Sequence, residues 1–121
     1  MTPSGDSEAA HRFRNSVKRL EVRTRAIDDI YAATDFYAAA GELLAERWLT
    51  ALRRTVSQIG RRPTFGSTAF AQHLDVPGLR HRSVPQYPYL VFSLDTDVSV
   101  VIVRVLHERR DVRGELSTDD G

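Results

Sequence analysis

Nine consecutive residues, VSVVIVRVL (98–106), constrain this chain more than any other stretch. Apolar side chains fall on both of their alternating faces, which places the segment at the centre of a sheet rather than on its edge. Just before it, YPYLVFSL (87–94) reads as a second strand, with Pro88 near its start, where the missing N–H does no harm. Asp95-Thr96-Asp97 supplies a hairpin loop between the two. LRHRSV (79–84) alternates and adds a third strand, so the three form an antiparallel meander.

The first half of the chain has a different period. VKRLEVRT (17–24) alternates as a half-buried strand. In AIDDIYAATDFYAAAG, Ile27, Ile30, Tyr31, Thr34, Tyr37 and Ala38 recur at helical spacing, with Asp28 and Asp29 expected in the first turn and Gly41 at the end. A second helix runs from Glu42 to about Ile59 along an apolar stripe through Leu44, Trp48, Ala51, Leu52, Thr55, Val56 and Ile59. The very short connection makes the two helices an antiparallel hairpin. The segment RRPTFGSTAFAQHLDVPG is long for a loop in a small domain, so it holds a turn of helix or serves function.

These readings give an α+β fold of order β-α-α-β-β-β: an antiparallel sheet of about four strands with an N-terminal helical hairpin packed on one face. The other face is expected to carry polar side chains and form an open groove. The domain spans 17–116. Residues 1–16 read as a disordered leader and 117–121 as a flexible acidic tail. Met1 is the sole methionine, so a start further in would need an alternative codon, for which Val17 is the candidate.

Composition narrows the chemistry. The absence of cysteine excludes a disulfide framework, thiol catalysis and cysteine-ligated zinc, and fits a cytoplasmic protein. No stretch approaches the ~18 apolar residues of a membrane span. His11, His73, His81 and His107 lack metal-ligand spacing, and no glycine-rich phosphate loop or nucleophile elbow occurs. No metal, cofactor or small-molecule substrate is therefore expected. Sixteen of the seventeen basic residues are Arg, which follows either from a GC-rich genome or from a use in bidentate anion contacts.

Taken in order, AIDDIYAATDFY, the helix with Trp48, the P-x-x-G element at Pro63–Gly66, PGLR (77–80), YPYLVF (87–92) and RVLHERRD (104–111) resemble the RelE/ParE superfamily, the toxin halves of bacterial type II toxin–antitoxin pairs. The resemblance implies the fold just derived and a growth-arresting function. RelE-like members cut mRNA on the ribosome; ParE-like members inhibit DNA gyrase. By that resemblance Arg80 and Arg82 match the basic positions on the strand after the long loop, and Arg109 matches the arginine beyond the last strand. With His107 as proton carrier these would make a nuclease set.

That set is incomplete. Tyr89 stands where the nucleases place an arginine, and the C-terminal tyrosine has no counterpart in ELSTDDG. Losing an acid–base group costs about 10²–10⁴-fold in rate. The wording of YPYLVF and RVLHERRD is also nearer to ParE. The resemblance thus implies a ParE-like toxin with gyrase as target and a cognate antitoxin as partner, contacts falling on Arg80, Arg82, Tyr89, Arg109 and Arg110. The antitoxin is expected on the helical hairpin and in the basic sheet groove. Tyr87 and Tyr89 share one face, which suits core packing or base stacking.

Overall fold

A computed structural model describes residues 18–117, so the expected leader and all but Ser117 of the expected tail lie outside the described residues. The elements are β1 (Arg19–Val22), α1 (Thr24–Ala40), α2 (Glu42–Arg61), α3 (Ala69–Leu74), β2 (Arg80–Ser83), β3 (Tyr89–Asp95), β4 (Ser99–His107) and α4 (Val112–Ser117). One four-stranded sheet has the order β1-β4-β3-β2. The meander β2-β3-β4 is antiparallel, and β4 is central as its two-faced apolar sequence requires. β1 differs from expectation in direction: it pairs parallel to β4, Arg19 opposite Ser99 and Val22 opposite Ile102. The α1–α2 hairpin carries the chain from β1 across one face toward β2 at the opposite edge, and the meander then brings β4 back beside β1.

Gly41 alone separates the two helices, and its N–H closes α1 on the carbonyls of Tyr37 and Ala38. α2 buries Ala45, Trp48, Leu52, Thr55 and Ile59, close to the expected stripe. The face of α1 is turned by one position. Ala26 and Ala33 are buried, whereas Ile27 and Tyr31 are 40% and 66% exposed. Small residues there let α1 approach the sheet, and the space is filled instead by Trp48 with the rings of Tyr37, Tyr87 and Tyr89. The Trp48 indole N–H donates to Thr34 Oγ1 at 3.1 Å, which removes the cost of burying it.

The second face of the sheet is not an open polar groove. Leu79, Phe92, Val101, Val103, Leu106 and Val112 form a second apolar cluster, and Phe70, Leu74 and Leu116 pack on it. α3, from the long irregular segment, and α4 supply that cover. A β4 apolar on both sides needs burial on both sides, and these short helices are what the chain has for the purpose.

Gly66 anchors the cover to the sheet. A Cβ there would lie 2.9 Å from the His81 carbonyl oxygen and 3.2 Å from Arg80 Cβ. Backbone cannot yield cheaply, so Gly66→Ala should destabilise the protein by roughly 1–3 kcal/mol, read from urea unfolding midpoints. A change within error would mean that the strand can shift to admit a methyl group.

Candidate functional site

β1 ends at Val22, opposite Ile102, so the last part of β4 has no strand on that side. At the same point the β3–β4 register steps from Phe92↔Arg104 to Ser93↔Ile102, a bulge that leaves Val103 without a partner. Bulges re-aim side chains and twist a strand away from its neighbour. Here Arg104 turns toward α1. Its Nε and Nη2 donate to Asp29 Oδ2 and Oδ1 at 2.7 and 2.9 Å, a bidentate pair. Asp29 Oδ2 also accepts the Val105 N–H at 2.9 Å, so one carboxylate stands in for the missing strand.

The guanidinium reaches further. Arg104 Nη2 donates to Glu115 Oε1 at 3.2 Å, and Arg110 Nη1 donates to Glu115 Oε2 at 2.6 Å. The network joins α1, the end of β4, the turn after it and α4. The Arg104 side chain is 4% exposed and Asp29 12%. The Asp29 hydrogen bond raises the Arg104 pKa against the opposing effect of burial, so the guanidinium is held charged. Neither Asp29 nor Arg104 stood out as a site residue in sequence. The signal was present: Ala26, Asp29, Ile30 and Ala33 fall at i, i+3, i+4 and i+7, and an arginine inside VSVVIVRVL demands a carboxylate.

Glu115 titrates below the ordinary carboxylate range, first because of the Arg110 hydrogen bond and then that of Arg104. A depressed folded pKa gives stability that is present above the unfolded value of about 4.3 and lost as pH falls through the folded value. Acidification below about pH 4 should therefore release α4, read as faster amide exchange over 112–116 before global unfolding. Glu115→Gln should abolish that acid-dependent step; retention of the step in the variant would assign it to another carboxylate.

Between α1 and the ends of β3 and β4 lies a cleft of about 660 Å³. Ala32, Ala33, Pro88 and Val105 make its apolar wall, Phe36 stands on one lip, and His107, Arg109 and Arg110 form the other. Phe36 is 68% exposed, among the most exposed of the large apolar side chains. The Tyr89 ring packs on Trp48, at 4.8 Å between centroids, and on His107, at 5.2 Å. Burial raises its phenol pKa, with Arg110 acting the other way. His107 Nδ1 accepts the Arg109 N–H at 3.1 Å and its carbonyl accepts the Arg110 N–H at 2.9 Å, so the imidazole shapes the turn that carries both arginines. Arg109 has no carboxylate at salt-bridge distance among the described residues.

Arg80 and Arg82 lie elsewhere, on the edge strand β2. Arg80 Nη1 donates to the Gly66 carbonyl at 3.0 Å, and Arg82 Nη1 to Gln58 Oε1 at 3.0 Å. Arg82 is opposite Val91, itself opposite Val105, so His107 lies two strands across and two residues along. Strand spacings of ~4.8 Å and rises of ~3.3 Å put the two backbones on the order of 12 Å apart. The structure brings Tyr89, His107, Arg109 and Arg110 together and holds Arg80 and Arg82 two strands away, on the edge strand of the same sheet face.

Residues 20–112 match the family model described as the ParE toxin of the type II toxin-antitoxin system parDE. The chain belongs to the ParE toxin family. Among solved structures, the chromosomal ParDE toxin–antitoxin system from P. aeruginosa contains a chain similar in fold to this ParE-family protein: TM-score 0.65 at 18% identity, covering 76% of this chain and 97% of that one. A comparison with curated proteins gives no match. The span matched in this ParE-family chain includes Asp29, Arg104, the cleft and both pairs of candidate arginines. Among the described residues no helix is long and apolar enough to cross a membrane, and no cluster of His, Asp or Glu could hold a metal.

Proposed function

We propose that this ParE-family toxin acts in the cytoplasm and arrests growth by inhibiting DNA gyrase, and that a cognate antitoxin neutralises it by seating on the cleft between α1 and the end of β4. The observation that carries the gyrase reading over mRNA cleavage is Tyr89, which stands where the nucleases place an arginine and packs on Trp48 and His107. Acid–base cleavage of a phosphodiester needs its groups within hydrogen-bond reach of one phosphate. Here His107 is engaged in a turn and Arg82 with Gln58. What remains is a surface suited to a protein partner.

The cleft favours an amphipathic antitoxin segment. Its apolar wall and the Phe36 lip suit a buried anchor, and Arg109 and Arg110 suit acidic residues beside that anchor. Induction of the chain alone in a bacterium carrying a DNA-damage reporter tests the activity. Growth arrest with a strong reporter response is expected. Arrest without the response, accompanied by cut transcripts, would replace gyrase with ribosome-bound mRNA as the target.

A further inference from the structure

Charge is segregated along this chain. Residues 47–94 hold seven arginines and one carboxylate, Asp75, while the other fifteen carboxylates lie outside that stretch. A GC-rich genome enriches Arg everywhere but does not strip Asp and Glu from one region. The fold gathers five of these arginines. Arg54, Gln58 and Arg61 fall at i, i+4 and i+7 on one face of α2, flanked by Arg53 and Arg62. Two shallow hollows of about 440 and 340 Å³ adjoin there, sharing Gln58 and Arg61; Arg82 and Phe65 line the second. None of these arginines has a carboxylate at salt-bridge distance among the described residues. Like charges set so close repel one another unless a polyanion meets them.

We infer that this face of α2 and β2 binds the phosphate backbone of duplex DNA without regard to sequence. An acidic protein segment fits it poorly. Protein interfaces centre on buried apolar or aromatic anchors, and the only large apolar side chain lining these hollows is Phe65, already capped by Arg62 at 4.9 Å and Arg82 at 6.0 Å. A single strand would want a track of successive aromatic rings, which is also missing. Geometry suits a duplex. Arg53 stands eight residues from Arg61, about 12 Å along a helix rising ~1.5 Å per residue, with Arg54 beside the first and Arg62 following the second as the helix cap. The major groove of B-form DNA is also about 12 Å wide, so a helix laid across it presents one arginine pair to each phosphate wall. This inference is independent of the gyrase reading.

Fluorescence anisotropy of the purified full chain with a labelled 20-base-pair duplex tests it. Four phosphate contacts predict a slope of log K against log salt of about −3.6, or about a hundredfold loss of affinity between 50 and 200 mM NaCl. Arg61→Gln/Arg62→Gln should lower affinity about tenfold or more at 50 mM and bring the slope to about −1.8. The charge-matched Arg19→Gln/Arg23→Gln, on β1 and the loop after it, should change neither, and circular dichroism checks that both variants fold. Absence of binding at 50 mM salt, or equal losses in the two double variants, would overturn the inference. So would tighter binding of poly-glutamate than of the duplex, which would assign the face to an acidic protein.

Discussion

Asp29→Asn should destabilise the folded chain by about 3–5 kcal/mol, the cost of leaving a buried charge without its partner. The loss is large against the total stability of a domain this size, about 5–15 kcal/mol. Three groups lose at once. Arg104 Nε and Nη2 both donate to Asp29, as does the Val105 N–H. An amide offers one acceptor where the carboxylate offered two, and turns its own N–H toward a guanidinium. Glu115 still contacts Arg104, which puts the expected cost nearer the lower end. Asp28→Asn, one residue away and exposed, should stay within about 0.5 kcal/mol. The double replacement Asp29→Leu/Arg104→Met should recover only part of the loss: an apolar pair of similar volume often matches a buried ion pair, but the Val105 N–H is left without its acceptor. Urea unfolding of the four proteins checks this; Asp29→Asn no worse than Asp28→Asn would mean that the bidentate pair contributes nothing.

Phe36→Ala should weaken antitoxin binding by at least about 2 kcal/mol, some thirtyfold in dissociation constant, the loss typical of a central aromatic anchor. Its effect on the free chain should be within about 0.5 kcal/mol, because a side chain 68% exposed gives up little on truncation. The contrast separates this residue from Tyr37, its neighbour, whose ring packs on Trp48, Tyr87 and Tyr89. Arg109→Glu should act on association rate and salt dependence instead, as rim charges do. Titration calorimetry of the co-expressed antitoxin against each variant measures both. Unchanged affinity for Phe36→Ala would move the antitoxin off this cleft.

Periodicity made the larger elements legible. Gly41, the Trp48 stripe and VSVVIVRVL encode the helical hairpin and the central strand. Two features stayed hidden for physical reasons. Alternation along β1 is the same for a parallel or an antiparallel neighbour, so its direction could not be read. α3 and α4 are six residues each, too short for a period to show which side they bury, so a turn of helix is legible in the long segment but its cover of the second face is not. The candidate site divided in a similar way. Arg80 and Arg82 are two residues apart and do share a face. Whether that face meets His107 depends on strand order and on the partners Gln58 and Gly66, which sequence spacing does not encode.

The Asp29–Arg104 pair marks the limit most clearly. Each residue carried a signal, but pairing them requires knowing that β1 stops at Val22 and that β4 bulges beside Phe92. Both are properties of the assembled sheet. Asp29 lines the cleft, and Glu115 ties Arg104 to Arg110 on its lip.

Gyrase supercoiling of relaxed plasmid in the presence of the purified full-length chain tests the central proposal most directly. Supercoiling should fall as the chain approaches gyrase in concentration, and linear plasmid should appear after detergent and protease treatment. Full supercoiling at a large excess of folded chain, with no linear product, would contradict it.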